Sequence, residues 1–185
     1  MKLCRNICIL ALTLILAMGT LTAHAETYEL PYFLNQFEGT GLNIQEFWGK
    51  AFLIVFFTES SPACIQQFPD IKMVYDYYSP DELQIIMIHE WANETEENTE
   101  RVKEEYGLHE LYFYEDTDMS IARKTGIPDI PTLLFMDSAG YLHDAYVYPV
   151  PFESNDPSQP SMREVLDSIG ISKRIDAPTE TPAAN

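Results

Sequence analysis

The chain has 185 residues, with 29 Asp and Glu against 11 Lys and Arg, a net charge of −18. An acidic excess of that size argues against nucleic acid and against anionic membrane surfaces, because both need cationic contacts. The length is enough for one domain with a sizeable core.

The first 25 residues read as a signal peptide. Lys2 and Arg5 give a positive start, residues 7–18 an apolar run, and Ala23-His24-Ala25 a small-x-small cleavage site. The apolar run is shorter than the roughly 17–25 residues of a spanning helix, so cleavage is expected rather than anchoring, with no stable membrane span afterwards. The expected organisation is a signal peptide over 1–25, one domain over 26–172 and a disordered tail over 173–185. The tail follows from Ala177-Pro-Thr-Glu-Thr-Pro-Ala-Ala-Asn185, which has too little apolar content to fold. The protein is therefore expected to be exported and extracytoplasmic. Two of its three cysteines, Cys4 and Cys8, leave with the signal, and Cys64 stands alone. A single Cys in an exported chain is buried and inert, reactive, or an intermolecular partner.

Residues 28–33 and 42–47 are short apolar segments that suggest an N-terminal hairpin or a strand plus turn. Residues 51–57, Ala-Phe-Leu-Ile-Val-Phe-Phe, are too few to span a bilayer and too continuous for a half-wet strand, so they read as a central strand buried on both faces. A turn with two Ser, a Pro and Cys64 follows. Apolar residues at Ile65, Phe68, Ile71, Val74, Tyr75 and Tyr78 then recur at helical spacing, with Pro69 a potential kink. A Cys at such a helix start sits where backbone amides stabilise a thiolate.

Residues 83–89 read as a second buried strand ending in His89. Asn93 and Glu96 resemble a capping box for a helix running to Tyr106, with Glu97, Arg101 and Glu105 at ion-pair spacing and Gly107 as its stop. A short strand over 111–114, a short helix over 118–125 and a hairpin of 132–136 with 141–148 come next. Ser161-x-x-Glu164 opens a last helix closed by Gly170. The order β–α–β–α–(β–α)–β–β–α gives an α/β sandwich around a mixed sheet, a thioredoxin fold with an N-terminal hairpin extension.

With these elements placed, the chain resembles the exported TlpA/ResA-like thioredoxins over roughly residues 28–170. The resemblance rests on Phe47-Trp-Gly-Lys50 before the central strand, on residues 56–69 after it, and on Gly126-Ile-Pro-Asp-Ile-Pro-Thr132 with residues 133–137. It implies that Pro131 is the cis-proline facing the site, beside Ile130. The family motif Trp-Cys-x-x-Cys falls on Ser60, Ser61, Pro62, Ala63 and Cys64, and the family's acid three residues later falls on Gln67. Cys64 and Ser61 are thus the candidate catalytic pair. Pro131, Ile130, Ser60, Pro62 and Gln67 are the expected cleft, open to a protein or peptide partner.

In the family the first Cys attacks a substrate disulfide and the second resolves the mixed disulfide. With one sulfur, exchange through an internal disulfide is impossible, and no base beside Ser61 is evident to activate its hydroxyl. The leading expectation is a thioredoxin-like protein with a degenerate Ser-Pro-Ala-Cys site, reduced or absent dithiol exchange and a retained binding cleft. The alternative is a one-thiol redox enzyme acting through Cys64, by mixed-disulfide or peroxiredoxin-like chemistry. Peroxiredoxins carry Pro-x-x-x-Thr/Ser-x-x-Cys, and Ser61-Pro-Ala-Cys64 satisfies its last four positions. The motif's Pro falls at Phe57 and its usual Arg at Pro131, which leaves Arg123 as a stand-in on a short helix expected to face solvent. A third reading is an intermolecular disulfide through Cys64. No cofactor is called for. No metal is expected, since His89, His109 and His143 are too scattered for a ligand set. His89, at the same sheet edge as Cys64, would line the cleft with Glu90 and Trp91 or stand in water.

Overall fold

The structure is a computed structural model that describes residues 37, 39–90 and 96–174. The expected signal peptide, segment 28–33, Trp91, Asn93 and the expected tail over 177–185 lie outside the described residues. The other half of the expected hairpin, residues 42–47, is a loop with a 3-10 turn over Ile44–Phe47 rather than a strand. Its short apolar run packs Leu42 and Ile44 inward from a loop, so no strand partner is required.

Strand β1 (Ala51–Phe57) is buried at every position, as seven consecutive apolar residues demand of a strand with layers on both sides. Helix α1 (Pro62–Tyr77) follows, then β2 (Leu83–Glu90), α2 (Glu96–Tyr106), β3 (Tyr112–Asp116) and α3 (Ser120–Thr125). The hairpin of β4 (Thr132–Met136) and β5 (Leu142–Tyr146) leads to α4 (Met162–Ile169). The sheet order is β3-β2-β1-β4-β5. The crossover units make β1, β2 and β3 parallel, and the hairpin adds β4 and β5 antiparallel. This is the mixed sheet flanked by helices that the element order predicts.

Alternation along β1 sends its residues to two cores. Leu53, Val55 and Phe57 face Cys64, Phe68 and Ile71 of α1, Val102 of α2 and Leu166 of α4. Phe52, Ile54 and Phe56 face Ile121 of α3 with Leu42 and Ile44 of the leading loop. That loop passes close to β3: Tyr114 donates its hydroxyl to the Thr40 carbonyl at 2.6 Å. Gly41 has φ +91°, and a Cβ there would meet Tyr114 Oη at 2.7 Å, so glycine fits on both counts.

Helix α1 runs on through Pro69. Pro69 and Ile65, whose carbonyl loses its helical donor, are both exposed, so the missing bond falls on the solvent side. The chain stays packed to Arg174. Lys173 bridges Tyr78, and Arg174 donates its backbone N–H to the Tyr77 carbonyl at 2.8 Å.

Candidate functional site

The site grows from the exit of β1. Thr58 Oγ1 and Ser60 Oγ lie 3.1 Å apart and the Ser61 N–H donates to the Thr58 carbonyl, which folds the chain back sharply before α1 begins. Ser61 is the N-cap in extended conformation, and Pro62 takes the first helical position, where its missing N–H costs nothing. The Ser61 hydroxyl oxygen accepts the Cys64 N–H at 3.5 Å. Cys64 itself is 0% exposed and packs in the core with Phe57 and Phe68. Ser60 and Pro62 are exposed and Ser61 is half-buried, so the turn shows solvent its hydroxyls and proline, not its sulfur.

The second wall comes from the neck of β4. The Ile130–Pro131 peptide is cis, and Thr132 pairs in register with Phe56, one residue from the end of β1. Thr132 Oγ1 donates to the Asp129 carbonyl at 2.5 Å, while Asp129 Oδ1 accepts the Ile130 N–H at 2.8 Å, holding the loop. Pro131 is buried and Ile130 packs against both cores. The fold therefore brings Ser60, Ser61, Pro62 and Cys64 to the end of the sheet where Pro131 and Ile130 also lie.

Gln67 does not join them. It is 1% exposed and points away from the turn toward the loop after β5. Its Nε2 donates to the Val150 carbonyl at 2.9 Å and its Oε1 accepts the Val150 N–H at 2.7 Å. The expected cleft position is occupied instead by a clamp. A neutral amide serves here because the partner presents both a donor and an acceptor, which a carboxylate cannot match.

His89 also departs from expectation. The strand-end histidine read as a cleft lining or a solvated group is 0% exposed. Its ring stacks on Phe57 with centroids 4.9 Å apart and planes at 15°. Thr99 of α2 donates its hydroxyl to Glu115 Oε1 at 2.5 Å, so its one hydrogen is spent. His89 Nδ1 lies 2.8 Å from Glu115 Oε2 and 2.9 Å from Thr99 Oγ1, both acceptors, and therefore carries a proton. Arg101 forms an ion pair with Glu59 in the turn that precedes α1. These two attachments pin α2 over the site. Neither was legible from spacing, because each partner comes from a distant element.

Glu90, at the end of β2, is the perturbed acid of this edge. Burial pushes it from an ordinary 4.5 up to about 7, Asp116 and Asp129 repel its charge further, and His89 opposes them. Its folded value lies above its unfolded one, so its stabilising effect is complete at low pH and is lost as pH rises toward 7. Urea titrations at about pH 5 and about pH 8 should show wild type losing about 1 kcal/mol more than Glu90→Gln, after allowing for its half-exposed setting. Equal losses would mean that the carboxyl is effectively solvated.

Arg123, the stand-in for a peroxidatic arginine, is exposed on α3. His143 is exposed beside Asp144, with Nδ1 and Oδ2 3.0 Å apart. Among the described residues no group of three or more His, Cys, Asp and Glu is placed to hold a metal ion, and no helix is long and apolar enough to cross a membrane.

No family model matches the chain. It is 25% identical over 118 residues to the thiol-disulfide oxidoreductase ResA of Halalkalibacterium halodurans, covering 64% of this chain and 65%, just under two thirds, of that relative. Among solved structures, a thiol:disulfide interchange protein of the thioredoxin family from Chlorobium tepidum superposes with a TM-score of 0.54 at 22% identity. That match covers 68% of this chain and 84% of the other. A thiol-disulfide isomerase from Corynebacterium glutamicum gives a TM-score of 0.55 at 16% identity, covering 76% and 88%. The chain is a thioredoxin-fold protein similar to the TlpA/ResA-like thiol-disulfide oxidoreductases.

Proposed function

We propose that this is an exported thioredoxin-like protein in which dithiol exchange is lost and the cleft is kept to bind an extended segment of a protein partner. The observation that carries the reading is the division of labour at the turn. Where the relatives' motif places its first sulfur, the Ser61 hydroxyl caps α1, and the remaining sulfur of Cys64 is 0% exposed. A hydroxyl with its oxygen engaged as a cap is a poor nucleophile, and a buried thiol behaves as a small apolar side chain. Ser60, Pro62 and Ile130 would form the contact surface, with Ser61 between them and the buried Pro131 and Cys64 supporting it from beneath. Export rests on the charged, apolar and Ala-x-Ala pattern of residues 1–25.

The competing one-thiol enzyme draws on Cys64's place in the first turn of α1, where amides favour a thiolate. It requires the sulfur to be reachable. Alkylation of the folded protein across pH separates the two. Labelling should run at least about 10³-fold slower than in the unfolded chain, through opening of the fold alone. Rapid labelling with a midpoint well below the ordinary value of about 8.5 would sink the binding-only reading and make peroxide the next substrate to test. Cys64→Ser should leave partner affinity unchanged.

A further inference from the structure

We propose that the outer edge of β5 accepts an extended, Lys- or Arg-bearing segment of a partner protein as a sixth strand. The inference goes beyond the reading above and makes no use of Cys64.

Among the described residues β5 ends the sheet, with β4 as its one neighbour there. An edge strand presents backbone donors and acceptors on its outer side, and natural proteins guard such edges with Lys, Pro or inward charges. Residues 141–148, Tyr-Leu-His-Asp-Ala-Tyr-Val-Tyr, contain no Lys, Arg or Pro. The register shift between Phe135 and Met136 irregularises only the far end of the hairpin, away from Tyr146. Tyr141, Leu142, Val147 and Tyr148 are each between 42% and 62% exposed. They are four of the seven large exposed hydrophobics among the described residues, which makes this the densest exposed apolar stretch there.

The chemistry of the near end selects the occupant. The Tyr146 and Tyr148 rings meet edge to face, with centroids 5.8 Å apart. Burial first, and then Asp144, Tyr148 and Glu164, hold the Tyr146 hydroxyl above its usual range. Asp144 has the neighbouring His143 at 3.0 Å, and Glu164 accepts the Ser161 hydroxyl at 3.0 Å, so neither meets a permanent cation in these contacts. The exposed Tyr148 ring, with the half-exposed Asp144 carboxylate on the adjoining strand, offers an ammonium or guanidinium group a place to sit. A second copy would bring the same two acids and a net charge of −18 against this one, so a cationic partner is favoured over self-pairing. Backbone pairing would supply affinity, and the aromatic–acid end the choice of side chain. Tyr146 stands opposite Leu133, so this end of the edge lies at the same end of the sheet as Pro131.

The probe is a blocked hexapeptide of alternating Lys and Val, with a Glu/Val hexapeptide as its counterpart, titrated into the whole protein while amide hydrogen exchange is followed. The Lys/Val peptide should bind at least about tenfold tighter than the Glu/Val one and slow exchange in Leu142–Tyr146. The doubly substituted Asp144→Asn, Glu164→Gln protein, changed only near the surface, should lose about tenfold of that preference while its unfolding curve stays in place. Equal binding of the two peptides, or protection that maps away from β5, would overturn the proposal. So would sedimentation showing that the protein alone self-associates through this edge.

Discussion

Replacing Ser61 with Cys should give the protein the disulfide reductase activity it is proposed to lack, with turnover about 10²-fold above the uncatalysed rate in a dithiothreitol-coupled insulin assay. The position is prepared for a sulfur. Ser61 is the half-exposed N-cap of a 16-residue helix, and a Cys at that site would have the first-turn amides to stabilise its thiolate. The electrons balance within the pair. The new thiolate attacks one substrate sulfur and expels the other as thiolate, forming a mixed disulfide. The Cys64 thiol then closes the internal disulfide and releases the reduced substrate, and dithiothreitol restores both thiols. Cys64 need only become reachable from position 61, three residues back on the same turn, not from bulk solvent. The substitution also removes a cap, so stability should fall by about 1 kcal/mol, a loss that is read separately from activity. A folded Ser61→Cys protein that never forms the internal disulfide would show that the turn has lost more than its nucleophile.

The central strand, the order of elements and the place of Cys64 at a helix start were all legible from apolar runs, helical spacing and caps, because those signals are local. Ser161 with Glu164 and Gly170 mark the ends of α4 where the sequence puts them. What was not legible is set by partners distant in sequence. Gln67 reads as a cleft residue from its place in the motif, yet its partner Val150 is 83 residues away and turns it inward. His89 at a strand end looks solvated until α2 and β3 bring Thr99 and Glu115 over it. Segment 42–47 has a strand's composition, but nothing in composition says whether a sheet edge is there to receive it. Pattern identifies what must be buried, and topology decides against what.

Gln67 is where that distance between pattern and topology has its largest energetic consequence. Gln67→Leu should lower the free energy of unfolding by about 3 kcal/mol, because it fills the same space and strands both the N–H and the carbonyl of Val150. Val150 is 1% exposed, so water cannot replace the lost partners without opening the core. The loop it belongs to is otherwise tied to α1 by Asp70 Oδ1, which accepts the Phe152 N–H at 2.9 Å. Beyond Phe152 the loop leads to α4, so the loss should spread to the docking of that helix. Gln67→Glu tests the same clamp by charge. Burial and the facing Val150 carbonyl both disfavour a carboxylate there, and the Val150 N–H only partly opposes them, so the folded value should rise above the unfolded value of about 4.3. A group raised in the folded state stabilises fully at low pH and loses that contribution as pH climbs through its folded value. Urea unfolding of Gln67→Glu should therefore track wild type most closely in acid and fall away toward neutrality, whereas Gln67→Leu should be weakened equally at every pH. If Gln67→Leu cost less than about 1 kcal/mol, the Val150 backbone would have found other partners and the clamp would not hold this loop.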